Sequence, residues 1–145
     1  MQQDRKSATV NAYLFLKKGN ELLLLLRKNT GYFDDHYGLV AGHVEDGESA
    51  TDGMIREAKE EAGIILDPGQ LRVVHVLHRQ TDRYNIDVFF ECNQWDGDII
   101  NKEPEKCAEL SFHPLHLLPR NMMDYLPPVI EAISKGQFYS EQGWS

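Results

Sequence analysis

The stretch of this chain best suited to chemistry is a short acidic segment, residues 56–63, with the sequence REAKEEAG. Glu60 and Glu61 follow Glu57 at spacings of three and four residues. In a helix, that spacing places all three carboxylates on one face. Like charges so placed destabilise a helix by about 0.2–0.5 kcal/mol per pair, so a cation should compensate them. Carboxylate oxygens suit hard divalent cations, and we therefore predict a metal-binding surface on this helix.

The flanking residues predict where this helix begins and ends. Ser49 and Asp52 have the spacing of a capping pair at its start, and Gly63 suits the left-handed position after its last turn. Met54 and Ala58 belong to an apolar stripe that lies apart from the carboxylates and should face the core. The pattern predicts a helix of about 13 residues that holds the glutamates in fixed positions.

The rest of the sequence predicts strands on both sides of this helix. Residues 8–16 alternate in polarity, and residues 21–27 are an apolar run after a glycine-containing turn, which together indicate a hairpin. The other predicted elements are a short strand near 37–41, strands at 71–78, 84–91 and 110–112, a turn at 96–98 leading to a short strand, and a helix at 128–135. Residues 138–144 show no assignable pattern. This order predicts a mixed α/β fold, with residues 1–145 in a single domain.

Composition narrows the classes of protein that fit. With 145 residues and 41% apolar content, the chain can build one core. The net charge of −8 argues against binding a nucleic-acid polymer. The longest apolar run, residues 22–26, is too short to span a bilayer, and residues 1–6 lack the apolar part of a signal peptide. Cys92 and Cys107 fit no metal or redox spacing. We therefore expect a cytoplasmic protein with two reduced thiols and no membrane association.

The acidic segment and the loop before it resemble a known motif. Gly42, Glu48 and the run REAKEEAGI at residues 56–64 match the Nudix box, G-x5-E-x7-R-E-U-x-E-E-x-G-U, in which U is an aliphatic residue. Every fixed position matches, and so many fixed residues at set spacing make a specific signal. The chain thus resembles the Nudix hydrolases, and most closely their MutT-like subgroup. The resemblance implies a single-domain Nudix fold, an α/β/α sandwich around a mixed β-sheet.

The resemblance also implies a reaction and a set of site residues. Nudix hydrolases cleave nucleoside diphosphates linked to another moiety and depend on Mg²⁺ or Mn²⁺. By this resemblance Gly42 would offer a carbonyl ligand to the metal, and Arg56 would hold the loop through an ion pair with Glu48. The metal-binding carboxylates would be Glu57, Glu60 and Glu61, with a role as base left open for Glu57.

A later loop is the expected source of one further ligand or base. In several family members such a residue comes from a loop that corresponds here to residues 101–109. Glu103, Glu105 and Glu109 are the candidates, of which we favour Glu103. His43, next to Gly42, could contact phosphate or could be an ordinary surface residue.

Residues outside the box indicate the substrate only weakly. The proline typical of ADP-ribose pyrophosphatases is missing from residues 77–83, and Tyr84 is not at the offset usual in dinucleoside-polyphosphate hydrolases. The resemblance therefore favours conversion of a nucleoside triphosphate to the monophosphate and pyrophosphate. The alternatives are hydrolysis of ADP-ribose, a nucleotide sugar or a dinucleoside polyphosphate, and a nucleotide-binding Nudix module without catalysis. The sequence leaves open whether the protein is a monomer or a homodimer.

Overall fold

The computed structural model describes residues 5–145, which form a mixed sheet and two helices. The strands are β1 (Ala8–Lys18), β2 (Glu21–Arg27), β3 (Tyr37–Gly38), β4 (Val40–His43), β5 (Arg72–Gln80), β6 (Tyr84–Cys92), β7 (Cys107–Pro114) and β8 (Tyr139–Gln142). The helices are α1 (Ala50–Ala62) and α2 (Leu126–Ser134). Neither is long and apolar enough to cross a membrane. Residues 1–4, on which the expectation of no signal peptide partly rests, lie outside the described residues.

Strand β1 is the centre of the sheet. It pairs antiparallel with β4 and, near its end, with β2, as the predicted hairpin requires. It also pairs along most of its length with β6, in parallel orientation. Beyond β6 lie β5 and then β8, while β3 and β7 flank β2. The sheet is therefore mixed, as predicted.

Alternate side chains of β1 enter two separate hydrophobic cores. Tyr13 and Phe15 pack on the side covered by α2, where Leu126 of that helix is fully buried. Leu14 and Leu16 pack on the other side, against the apolar stripe of α1. Successive residues of a strand point to opposite faces, so each helix covers one face of the sheet. This gives the α/β/α sandwich that the family resemblance implied.

Helix α1 has the predicted ends. The Oγ atom of Ser49 accepts a hydrogen bond from the Asp52 amide at 3.1 Å, which satisfies one of the free donors of the first turn. Gly63 has a φ of 70°, and its amide donates to the Lys59 carbonyl at 3.1 Å. Ile64 then returns to the core, where it is fully buried. Both ends of the helix that carries the glutamates are therefore fixed.

Four stretches differ from the sequence predictions. Residues 37–41 form two strands, because β3 bonds to β2 while β4 bonds to β1. Residues 97–106 contain no strand, since Asp96 makes only an isolated bridge to Ile65. Strand β7 extends well beyond 110–112 because it pairs with all of β2. The unassigned tail forms β8, whose main-chain partners on β5 override its weak sequence pattern.

Candidate active site

The guanidinium group of Arg56 holds the loop between β4 and α1. Its Nε and Nη2 atoms donate to the two carboxylate oxygens of Glu48 at 2.8 and 2.9 Å, a bidentate arrangement. Nη2 also donates to the His43 carbonyl at 3.0 Å. Hydrogen bonds from Arg56 and from the Glu45 amide lower the pKa of Glu48 to about 2. The expected ion pair is present, and it ties this loop to the helix.

Glu57 lies directly against strand β4. Its Oε1 atom accepts a hydrogen bond from Nη1 of Arg56 at 2.8 Å, and its side chain is only 15% exposed. Its carboxyl group occupies the space that a Cβ atom on residue 42 would fill. A glycine is therefore needed at position 42 for this close approach of side chain and backbone.

Glu61 carries an unsatisfied buried oxygen next to Glu57. Its Oε2 atom is buried and finds no hydrogen-bond partner among residues 5–145. Burial raises the pKa of Glu61, and the neighbouring carboxylates of Glu57 and Glu103 raise it further. A buried polar atom without a partner is costly and calls for an explanation. A cation at this point would relieve both the repulsion and the missing contact.

Glu60 does not converge with the other two carboxylates. Its side chain is 56% exposed and accepts a hydrogen bond from Nη1 of Arg56 at 3.2 Å. Within the described part of the chain, no three histidine, cysteine, aspartate or glutamate side chains already form a metal-binding cluster. The expected convergence of Glu57, Glu60 and Glu61 is therefore incomplete, because Arg56 attracts the carboxylates of Glu57 and Glu60 toward itself.

Of the three loop glutamates, Glu103 is the one near this region. It shares a cavity of about 390 Å³ with Glu61, which we call the Glu61 cavity. The side chain of Asn101 accepts a hydrogen bond from the Glu103 amide at 3.1 Å, which helps to fix the loop. Glu105 is exposed, and Glu109 instead bonds to a tyrosine and a serine that do not line the cavity. Glu103 is therefore the loop glutamate that shares a cavity with Glu61, and its role as ligand or base stays a prediction.

Of two further cavities, the central one shares a lining residue with the Glu61 cavity, and the outer one shares four with the central one. The central cavity, of about 200 Å³, is lined by Gly42 and His43 among others. The outer cavity has a volume of about 570 Å³. Arg27 lines both the Glu61 cavity and the central cavity. The central and outer cavities share Tyr32, Arg79, Arg83 and Tyr125. The central cavity therefore lies between the carboxylates and the outer cavity.

A buried polar network supports the central cavity. Nε of Arg79 donates to Oδ2 of Asp87 at 2.8 Å, and Asp87 is fully buried. Oδ1 of Asp87 accepts from the side-chain amide of Asn11, also at 2.8 Å. The guanidinium of Arg79 lies 4.0 Å from the ring centroid of Tyr125, in cation–π contact. Burial raises the pKa of Tyr125 to about 12, so that its hydroxyl keeps its proton.

Sequence reasoning identified only part of this lining. Phe33 lines the outer cavity, whereas Tyr37 packs against a histidine of β7. Asp87 is fully buried beneath the central cavity. Tyr32 and Tyr125 were missed. They come from a loop and from the residue before α2, and no local pattern marks either as part of a cavity.

The sequence of the chain is similar to those of known proteins that belong to one family. The family model described as NUDIX domain matches residues 5–133. The chain therefore belongs to the Nudix family. It is 31% identical over 111 residues to an ADP-ribose pyrophosphatase of Methanocaldococcus jannaschii, a match covering 76% of this chain and 64% of that protein, which is less than two thirds of its length. It is also 29% identical over 134 residues to the nucleoside triphosphatase NudI of Salmonella agona, covering 81% of this chain and 95% of that protein.

Solved structures show the same fold. A MutT NUDIX hydrolase from Burkholderia pseudomallei aligns with a TM-score of 0.79 at 20% identity, covering 87% of this chain and 98% of that chain. A MutT protein from Methanosarcina mazei Go1 aligns with a TM-score of 0.77 at 22% identity, covering 92% and 97% respectively. These similarities confirm the MutT-like Nudix fold that the sequence predicted.

Proposed function

We propose that residues 1–145 form a single Nudix hydrolase domain that converts a nucleoside triphosphate to the monophosphate and pyrophosphate in a metal-dependent reaction. The observation that carries this proposal is the buried Glu61 oxygen that has no hydrogen-bond partner within residues 5–145 and lies beside Glu57. The central cavity nearby is lined by aromatic and arginine side chains. A non-catalytic Nudix module often lacks one of the box glutamates. This chain retains Glu57, Glu60 and Glu61, which favours catalysis.

The residues around Glu61 fit a divalent cation. The carboxylates of Glu57 and Glu61 and the carbonyl of Gly42 are oxygen donors of the kind that Mg²⁺ and Mn²⁺ prefer. The half-exposed side chain of Glu60 can join them by rotating away from Arg56. When bound, the metal would neutralise charge on phosphoryl oxygens and lower the pKa of a coordinated water.

Residues of the chain would supply positioning and proton transfer. Glu103 shares the Glu61 cavity and would accept a proton from the attacking water. Arg27, between that cavity and the central one, would bind the substrate phosphates. Arg56 and Glu48 would keep the box loop in place. Hydrolysis of a phosphoanhydride depends mainly on such positioning and on electrostatic stabilisation.

The aromatic residues beyond the central cavity suit a nucleoside base. Tyr32 and Tyr125 line both the central and the outer cavity, where their rings can contact a flat base. The cavity volumes, about 200 and 570 Å³, together fall in the range of small-molecule sites. We therefore place the phosphates near Gly42 and the base near Tyr32 and Tyr125.

ADP-ribose is the second candidate substrate. The relative from Methanocaldococcus jannaschii is named ADP-ribose pyrophosphatase. The outer cavity, at about 570 Å³, also leaves room for a group larger than a base alone. Both substrates would be cleaved at a phosphoanhydride bond by the same carboxylates, so the two candidates differ only in what fills the cleft.

A substrate panel tests the proposal. Purified protein with Mg²⁺ or Mn²⁺ is incubated with nucleoside triphosphates, ADP-ribose, nucleotide sugars and dinucleoside polyphosphates, and products are separated by chromatography. We expect a nucleoside triphosphate to have the highest kcat/KM, with release of pyrophosphate that stops when a chelator is added. Faster cleavage of ADP-ribose would establish the second candidate instead. Failure to cleave any of these compounds would contradict catalysis.

Substitution of Gly42 by alanine tests the contact between strand β4 and Glu57. The new methyl group would collide with the Glu57 carboxyl group, which is the end of a flexible side chain and can move aside. We expect the free energy of unfolding to change little. The value of kcat should fall by about 10- to 100-fold, as it does when other metal-site residues are misoriented. Gly69→Ala is the matched control, because a methyl group there has only ordinary contacts. Equal kcat values in the two variants would contradict the assigned position of Glu57.

We further propose that the enzyme works in the cytoplasm on a free nucleotide, without a nucleic-acid polymer or a membrane as partner. Its two cysteines, Cys92 and Cys107, are both free and buried, which suits a reducing compartment. The net charge of −8 disfavours a polyanionic polymer as partner. Light scattering in solution distinguishes the monomer from the homodimer.

A further inference from the structure

Three polar side chains lie side by side across the sheet, and two of them, Asn11 and His43, line the central cavity. Asn11 of β1 is the register partner of His43 on β4 and of Asp87 on β6. Nδ1 of His43 lies 2.6 Å from Oδ1 of Asn11. The amide nitrogen of Asn11 donates to Asp87 at 2.8 Å. An unbroken chain of hydrogen bonds therefore runs from a buried carboxylate to an exposed imidazole.

The donor and acceptor roles along this chain are fixed from its buried end. Asp87 faces the guanidinium of Arg79 at 2.8 Å, so its carboxylate can only accept hydrogen bonds. The NH₂ group of Asn11 must therefore point to Asp87, and its oxygen must point to His43. An amide oxygen accepts, so the hydrogen in the bond to His43 must be on the ring nitrogen Nδ1. Asn11 is only 5% exposed, which leaves it little freedom to reverse.

His43 is held at its main chain as well. Its carbonyl accepts a hydrogen bond from Nη2 of Arg56 at 3.0 Å. Its ring lines the central cavity, and its Nε2 atom makes no hydrogen bond to any residue from 5 to 145. In the neutral imidazole with a hydrogen on Nδ1, Nε2 is an acceptor and has no hydrogen to donate. Nε2 of His43 is thus a hydrogen-bond acceptor held in a fixed position at the central cavity.

We propose that His43, oriented by Asn11 and Asp87, accepts a hydrogen bond from a ribose hydroxyl of the substrate and so makes the enzyme select for sugars that carry it. This inference rests on the proposed function, which places the phosphates near Gly42 and the base near Tyr125. The sugar of a nucleotide joins those two groups and must lie in the central cavity between them. An ionised phosphate has no hydrogen to donate, whereas a sugar hydroxyl has one. The acceptor at Nε2 therefore favours the hydroxyl.

The tautomer of His43 provides a test that does not depend on catalysis. Long-range ¹H–¹⁵N NMR spectra of labelled protein, recorded at about pH 8.5 so that ordinary imidazoles are neutral, distinguish the two ring nitrogens. We expect the hydrogen of His43 on Nδ1 in the wild type. In Asn11→Leu the restraint is lost, and the population with hydrogen on Nε2 should increase. A wild-type spectrum with hydrogen on Nε2 would overturn the proposal, even if the enzyme hydrolyses nucleotides.

Kinetics test the selection itself. The best ribonucleoside triphosphate of the panel is compared with its 2′,3′-dideoxy analogue. One hydrogen bond worth about 0.5–1.5 kcal/mol corresponds to a kcat/KM ratio of about 2- to 12-fold in the wild type. In His43→Phe the ratio should fall to about 1, whereas the exposed His116→Phe should keep the wild-type ratio. An unchanged ratio in His43→Phe contradicts the proposal.

The two proposals fail in different ways. If no triphosphate is hydrolysed, the function proposed above is wrong, and binding then decides the role of His43. NMR titration with adenosine 5′-monophosphate and its 2′,3′-dideoxy analogue gives that answer. Weaker binding of the dideoxy compound to the wild type, but equal binding of both to His43→Phe, would support the hydroxyl contact. Equal binding of both compounds to the wild type would overturn it.

Discussion

A Glu61→Gln protein should lose nearly all magnesium-dependent hydrolysis of nucleoside triphosphates while it still folds. Glutamine has the same shape, but it removes the negative charge at the buried oxygen that has no partner within residues 5–145. Metal ions at such sites stabilise the transition state by several kcal/mol. Since about 1.4 kcal/mol corresponds to a factor of ten, kcat should fall by about 100-fold or more. Pyrophosphate release at saturating substrate, measured across a magnesium titration, is the readout.

The same substitution should not weaken the metal-free fold. Burial and the neighbouring Glu57 raise the pKa of Glu61 in the folded state. The stability of its protonated form is therefore fully present below the unfolded pKa and is lost as the pH rises through the folded one. Glutamine stays neutral at every pH, so at neutral pH the metal-free variant should unfold at the wild-type temperature or above it. Magnesium should raise the unfolding temperature of the wild type and have little effect on the variant.

A second substitution of glutamate by glutamine distinguishes the loss of the metal site from a general effect of removing one negative charge. Glu131→Gln makes the same chemical change on the exposed face of α2, where among residues 5–145 the side chain pairs only with Lys135. We expect it to keep wild-type kcat and the wild-type response to magnesium. The metal-site reading is contradicted if Glu61→Gln behaves like Glu131→Gln. It is also contradicted if Glu61→Gln loses activity only because it unfolds.

Local features of the site were predictable because short-range geometry determines them. The resemblance to the Nudix box implied an ion pair between Glu48 and Arg56, and that pair is present at 2.8 Å. Ser49 and Gly63 have side-chain and backbone preferences that begin and end a helix, whatever packs around it. What the spacing could not show was the direction of each carboxylate. The Glu60 side chain points toward Arg56 because the guanidinium attracts it, and this direction is visible only in the structure.

Features that depend on strand pairing were not predictable from this sequence alone. The contact of Asn11 with Asp87 requires a parallel pairing of β1 with β6, which are separated by a helix and four other strands along the chain. The position of Tyr125 against Arg79 depends on how α2 docks on the sheet. Neither arrangement produces a periodic pattern in the sequence. A single polar residue in an apolar strand looks the same whether it is buried in a network or lies at the edge of the sheet. The outer cavity could therefore be identified only from the structure.

An Arg79→Met protein should be less stable than the wild type by about 3–5 kcal/mol, because the change leaves a buried carboxylate without its counter-ion. Asp87 is fully buried and, among residues 5–145, would keep only the side-chain amide of Asn11 as a strong donor. The cation–π contact of Arg79 with Tyr125 would also be lost. Urea denaturation followed by circular dichroism measures the free energy of unfolding.

The matched comparison is an exposed ion pair on the same two strands. Arg72 of β5 contacts Glu91 of β6 at 3.2 Å, but its side chain is 75% exposed. Solvent screens such a pair, so Arg72→Met should cost no more than about 1 kcal/mol. Removing both buried charges in Arg79→Met/Asp87→Leu should restore much of the stability lost in Arg79→Met, because no uncompensated charge then remains. If Arg79→Met costs no more than Arg72→Met, the buried pair does not hold the strands beneath the cleft, and the support inferred for the central cavity is wrong.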